Sequence, residues 1–174
     1  MPHHDFEKKK YNSMVIILMG VSGCGKTTVG LKLAEKLNLP FFDADDFHPN
    51  ENVKKMESGI PLNDDDRAPW LDELSRQIKK WNKKKGAVLA CSALKNKYRE
   101  LLKANSGPDE VLFVYLKGSK ELILNRLKER SDHYMPPDLL DSQFADLEEP
   151  EDALIIPIHN SPEKISDRII ANLK

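Results

Sequence analysis

Apolar and polar residues along this chain fall into blocks that switch between short continuous apolar runs and the three-to-four spacing of a helix. Met14 to Met19 is an uninterrupted apolar run, the pattern of a strand buried on both faces. From about Lys26, Val29, Leu33 and Leu37 recur at helical spacing as far as Asn38, and Pro40 stops the pattern. Pro40 to Ala44 reads as a short second strand, buried at its two phenylalanines and turning polar at its carboxyl end, where Asp43, Asp45 and Asp46 stand. A polar helix is expected from His48 to Glu57, then a loop over Ser58 to Pro61. The acids Asp64 to Asp66 favour a helix start, and Trp70, Leu71, Leu74, Ile78 and Trp81 mark the apolar face of that helix up to Gly86.

The second half continues the alternation. Ala87 to Cys91 is a short strand ending at Ser92, and the next helix carries Lys95, Tyr98, Arg99 and Leu102 before Gly107-Pro108 breaks the chain. Val111 to Leu116 is a fourth strand, and Ser119 caps a helix running to about Arg130. The pattern stops over 131–137, which reads as a mobile lid, and a helix follows from Asp138 to Leu147. Ala153 to Ile156 is the last strand, with Pro157 pointing to a sheet edge or strand end. Ser161-Pro162 opens a closing helix whose core face is Ile165, Ile169 and Leu173. Five strands alternating with helices predict an α/β fold, one parallel sheet covered by helices on both faces.

Between the first strand and the first helix lies Gly20-Val21-Ser22-Gly23-Cys24-Gly25-Lys26-Thr27, which fits the phosphate-binding P-loop pattern Gly-x-x-x-x-Gly-Lys-Ser/Thr. Glycines let the backbone curl so that its N–H groups point inward, and the following helix adds the positive end of its dipole. Gly20, Ser22, Gly23, Cys24, Gly25, Lys26, Thr27 and Thr28 are the expected nucleotide-binding residues. Lys26 is expected to reach the β- and γ-phosphates of ATP, and the Thr27 hydroxyl to coordinate Mg²⁺. Asp43 and Asp45 arrive beside this loop, because ligand crevices of open α/β sheets lie outside the carboxyl ends of the strands. Asp45 suits acceptance of a hydroxyl proton and Asp43 suits orienting water on Mg²⁺, although both also fit as caps of the following helix.

Charge and cysteine content narrow the classes. In 174 residues, 27 basic and 28 acidic side chains nearly cancel, and the basic runs Lys8 to Lys10 and Lys83 to Lys85 are short, which argues against nucleic acid as a partner. Cys24 and Cys91 show neither metal-ligand nor secreted-disulfide spacing, so a reducing cytoplasm is expected. No apolar run approaches membrane-spanning length. Residues 1–13 read as a flexible extension, in which His3 and His4 are ordinary surface residues, and 14–174 as one domain. A homodimer is compatible with the sequence without being specified by it. The guanine-reading Asn-Lys-x-Asp of GTP switches is missing.

The order of these parts resembles the gluconate kinase family of small P-loop carbohydrate kinases. The residues that carry the resemblance are the P-loop, Asp43-Ala-Asp45 with Phe47-His48-Pro49 and Asn52, Lys55-Met56, Gly59 to Leu62, Asp64, and Asp66 to Leu71. They continue with Cys91 to Lys95, Tyr98-Arg99, Arg126, Arg130, His133, Met135-Pro136, Leu139-Leu140, Ser142 to Phe144 and Leu147-Glu148. Ala44, Cys24, Asp132 and Tyr134 depart from the usual pattern without removing a catalytic group. The resemblance implies a single-domain P-loop kinase that phosphorylates D-gluconate at its 6-hydroxyl with ATP and feeds 6-phosphogluconate into the pentose phosphate pathway. Kinases of shikimate or of nucleotides share the architecture and differ in the acceptor pocket. Catalysis is expected from Lys26, Asp45 and Arg130. Arg126 and Arg130 share a helix face, one to stack on adenine and the other to approach the phosphates, or both simply to favour the helix's negative pole. Asp45, His48, Arg67, Arg99 and His133 are expected to hold the sugar acid. Arg67 and Arg99 would grip its carboxylate, unless they pair with surface acids instead.

Overall fold

The computed structural model describes residues 13–129 and 137–173. The proposed extension up to Asn12, Arg130, His133 and nearly all of the segment read as a lid lie outside the described residues. The strands are β1 (Val15–Met19), β2 (Phe41–Asp43), β3 (Ala87–Ala90), β4 (Val111–Lys117) and β5 (Leu154–Pro157). The helices are α1 (Lys26–Leu37), α2 (Asn50–Glu57), α3 (Asp64–Asn82), α4 (Asn96–Leu102), α5 (Lys120–Glu129), α6 (Pro137–Asp146) and α7 (Pro162–Asn172).

Every strand pair is parallel, in the order β2-β3-β1-β4-β5. All five residues of β1 are buried because it lies in the middle of the sheet with a layer of helices on each side. Ile16 and Leu18 face Val29 and Leu33 of α1, Ile123 of α5, and Ile165 and Ile169 of α7. Val15, Ile17 and Met19 face the other layer, where Trp70, Leu71, Leu74 and Ile78 of α3 join Tyr98 and Leu102 of α4. This parity explains why a central strand reads as a continuous apolar run rather than an alternation. Pro157 ends β5 at one edge of the sheet, as its missing N–H requires. At the other edge, Phe41 and Phe42 of β2 are only half-buried, less than the sequence pattern suggests, because an edge strand has a neighbour on one side only.

Two connections decide where a ligand can enter. After β1 the chain passes to α1 on one face, and after β3 to α4 on the opposite face, so a crevice opens between the carboxyl ends of these adjacent strands. Beyond β2 the chain makes a 3₁₀ turn (Ala44–Phe47), and α2 starts at Asn50 rather than His48. The reason is Pro49, which holds His48 extended, with φ −66° and ψ 137°. The acidic start of α3 is a full capping box: Asp66 N–H donates to Asn63 Oδ1 at 2.8 Å and Asn63 N–H to Asp66 Oδ2 at 3.0 Å.

Candidate active site

The P-loop emerges from the buried end of β1 and turns directly into α1. Gly20 adopts φ +147°, and a Cβ there would meet Cys24 Sγ at 2.8 Å and the Leu116 carbonyl at 3.0 Å, so the turn requires glycine. Gly25 is the N-cap of α1 in the left-handed region, φ 97°, and no acid occupies the first turn, which leaves the positive end of the helix dipole open to an anion. The resulting cradle encloses about 220 Å³ and is lined by Ser22, Gly23, Gly25, Lys26, Thr27 and Thr28, with Asp43 and Asp45 opposite. Lys26 Nζ donates to the carbonyls of Gly20 at 2.9 Å and Val21 at 3.1 Å, which folds the ammonium over the loop. Cys24 is buried beneath the loop; Cys91 is buried too, and burial pushes its thiol pKa up to about 12, so it stays a neutral thiol.

Asp43 and Asp45 occupy the end of β2 and the turn that follows. Asp43 Oδ1 accepts the Asp45 N–H at 2.9 Å, so Asp43 caps the turn while also lining the cradle. The buried Trp70 indole N–H donates to the Ala44 carbonyl at 2.7 Å and thereby ties the Asp45 turn to α3. Asp45 stands in the crevice mouth with 82% of its side chain exposed. The surrounding walls and the neighbouring Asp43 charge raise its pKa above the usual carboxylate value against the opposing pull of Lys26, and solvent access limits the size of that rise.

A second cavity of about 620 Å³ adjoins the first, and Ser22, Asp45 and Ser92 line both. Its polar wall includes His48, Asp64, Arg67, Lys95, Tyr98 and Gln143, and its apolar floor includes Trp70 and Leu71. His48 stacks on Trp70 with ring centroids 4.2 Å apart, and burial followed by the Arg67 charge lowers its pKa, which keeps the imidazole neutral. Asp64 gathers the cations of this wall: Arg67 Nη1 lies at 3.7 Å and Lys95 Nζ at 3.6 Å, while Lys97 and the Tyr98 hydroxyl hydrogen-bond to it. The Lys97 and Tyr98 hydrogen bonds hold the Asp64 pKa well below the carboxylate range. Three cations therefore surround this one carboxylate, and two of them, Arg67 and Lys95, line the cavity, a locally positive stretch that suits an anionic group, although Asp45 and Asp146 also line the cavity.

Arg99 does not join this wall. It is 4% exposed, and its guanidinium donates to the main-chain carbonyls of Ala93 at 2.7 Å, Leu94 at 3.1 Å and Glu148 at 2.8 Å. Ala93 has φ 45°, a strained value for a residue with a Cβ, so Arg99 braces the loop that forms the cavity floor instead of facing a ligand. Its spacing held the signal: Arg99 sits three residues before the fully buried Leu102 and shares its inward face. Lys95, one turn earlier and close to the carboxyl end of β3, has the cleft position that the sequence reading gave to Arg99. Arg126 hydrogen-bonds through Nη2 to the Ile158 carbonyl, which directs it toward the loop after β5. Gln143 is a further contact without a role in the sequence reading. Its Oε1 accepts the Ser22 N–H at 2.7 Å and its Nε2 donates to Ser22 Oγ at 2.9 Å, clasping α6 to the P-loop.

Comparison with known proteins follows the same lines. Residues 22–173 match the family model described as shikimate kinase. A Dictyostelium discoideum protein described as "probable gluconokinase" is 43% identical over 97% of this chain and 90% of its own length. The gluconokinase of Gluconobacter oxydans is 46% identical over 91% of this chain and 88% of its own. The crystal structure of a gluconokinase from Sinorhizobium meliloti superimposes with a TM-score of 0.83 at 37% identity, covering 93% of this chain and 92% of that one. A P-loop at the end of the central strand, a cation-lined cavity beside it and relatives of this closeness over nearly the whole length lead to one conclusion: the chain belongs to the gluconokinase family of P-loop kinases.

Proposed function

We propose that this protein transfers the γ-phosphoryl group of ATP to the 6-hydroxyl of D-gluconate, releasing ADP and 6-phosphogluconate. The observation that carries the reading is Asp45, which lines both the phosphate cradle and a larger cavity bearing Arg67 and Lys95. A carboxylated polyol anchored at those two cations extends a hydroxyl toward Asp45. The hydroxyl oxygen attacks the γ-phosphorus in line, the bond from that phosphorus to the bridging oxygen of ADP breaks, and the hydroxyl proton passes to the Asp45 carboxylate. Lys26 and the loop amides neutralise charge on the phosphate oxygens. The family resemblance assigns Arg126 and Arg130 to the nucleotide, one to adenine and the other to the phosphates, and His133 to the sugar acid.

Thr27 and Asp43 fit Mg²⁺, since both bring oxygen donors to the cradle. Among the described residues no group of three or more His, Cys, Asp or Glu side chains gathers, so Thr27 and Asp43 are the protein oxygens that would hold the ion. When bound, the ion would supply charge neutralisation on the phosphates. The site of action is the cytoplasm, consistent with two free cysteines, one of them in the P-loop.

A coupled ADP-release assay with ATP, Mg²⁺ and a panel of gluconate, glucose and shikimate tests the proposal. A charge-assisted pair to the carboxylate contributes about 1.5–3 kcal/mol, so gluconate should exceed glucose by roughly 10- to 100-fold in kcat/KM. Arg67→Lys should raise the gluconate KM and leave that of ATP nearly unchanged. Equal use of glucose and gluconate overturns the acceptor assignment, and preferential turnover of shikimate, another carboxylated alcohol, replaces it.

A further inference from the structure

Behind the polar wall of the larger cavity lies a hydrogen-bond relay whose direction can be read from chemistry alone. The His48 side chain is 4% exposed, with Nδ1 3.2 Å from Asn52 Nδ2 and Nε2 3.9 Å from Asp45 Oδ1. Asn52 is buried, 3% exposed, and the same Nδ2 lies 2.9 Å from the main-chain carbonyl oxygen of Asp66. A carbonyl oxygen only accepts, so the amide atom facing it is the nitrogen. An amide nitrogen only donates, so His48 Nδ1 must accept and carries no proton. The proton of the neutral ring therefore sits on Nε2, on the Asp45 side.

We propose that Asn52 is a positioning residue that fixes His48 as the Nε2–H tautomer, so that the ring offers one donor to the acceptor hydroxyl whose own proton goes to Asp45. The gap supports this. At 3.9 Å, Nε2 and the Asp45 carboxylate are too far apart to hydrogen-bond directly, and a hydroxyl oxygen seated beside both satisfies the two at once. With its proton committed to Asp45 and one lone pair to His48, the hydroxyl keeps one lone pair free to face the phosphate cradle. The charged groups around the ring, Asp45 at 3.9 Å and the Arg67 guanidinium, oppose each other, and an imidazolium would set an Nδ1–H against the Asn52 amide donor. Asn52 itself lines neither of the two cavities described above, and its amide nitrogen is occupied by His48 and Asp66.

The inference rests on reading this cavity as the alcohol site, but its test does not. Full-length protein labelled with ¹⁵N-histidine, with His48 assigned by loss of its signals in His48→Gln, should show a protonated Nε2 and a bare Nδ1 at neutral pH without ligands. Asn52→Asp replaces the donor with an acceptor and should move the ring to Nδ1–H or imidazolium. Its kcat with gluconate should fall about tenfold or more while the KM for ATP stays within about twofold. If Asn52→Asp fails to fold, Asn52→Ala should give a mixture of tautomers. An Nδ1–H ring in the unmodified protein, or a tautomer unmoved by either substitution, overturns the inference and leaves the kinase reading intact. Absence of gluconate turnover alongside the expected spectrum strikes the functional reading instead.

Discussion

The guanidinium of Arg99 satisfies three main-chain carbonyls from two separate segments, so its removal leaves acceptors in the interior without a donor. Arg99→Ala should cost about 2–4 kcal/mol and lower Tm by roughly 5–15 °C in a chain of this size. Arg67, at the cleft with its side chain 28% exposed, should show the opposite profile, with KM affected and Tm nearly unchanged. A melting curve for Arg99→Ala within a degree of the parent would remove the bracing role. In the proposed mechanism Asp45 carries the pH dependence. It accepts a proton only as carboxylate, and its pKa is raised by the enclosing walls and by Asp43 above the ordinary 3.8. The acid limb of kcat/KM should therefore lie above that value, with activity falling as pH drops through it. The sign for stability is reversed: the folded state holds the Asp45 proton more tightly than the unfolded chain, so this contribution declines as pH rises between the ordinary and raised values. A profile flat down to the ordinary carboxylate value would assign the base elsewhere. The sequence exposed both aspartates and the P-loop lysine because local motifs carry them. It misassigned Arg99 because the Glu148 carbonyl that helps draw it inward lies 49 residues away.

Elements behave as the local pattern dictates except where a neighbour intervenes. The helix after β2 shifts to Asn50 because Pro49 keeps His48 extended, and that shift lets His48 reach both Trp70 and Asn52. Helix α6 is joined to the P-loop by the two Gln143 hydrogen bonds to Ser22, a contact across 121 residues that no periodicity announces. Each such bond contributes about 1 kcal/mol. Gln143→Ala should therefore speed amide hydrogen exchange at Ser22 by about tenfold while exchange within β1 stays unchanged. Unaltered protection at Ser22 would show that α6 and the loop are held together by other contacts.

At the scale of the whole molecule, the sheet order β2-β3-β1-β4-β5 makes β1 and β3 neighbours whose onward connections lie on opposite faces, which opens the crevice between them. That single topological fact brings together the P-loop, the Asp43 to Asp45 turn, the Ser92 to Lys95 loop and the start of α3, four segments spread over 76 positions of the chain. No helix among the described residues is long and apolar enough to cross a membrane, so the apolar runs serve the sheet and its covering layers. The sequence by itself determined the five strands and most helix limits, the parallel α/β class and the P-loop, because apolar period, proline position and glycine spacing act over a few residues. Which cations face the cleft, what the His48 ring lies against and what clasps the P-loop were decided only by the tertiary structure. Lys95 and Arg99 lie one turn apart with the same charge. The carbonyls of the folded loop before α4 and the distant Glu148 carbonyl together draw one inward and leave the other at the cavity.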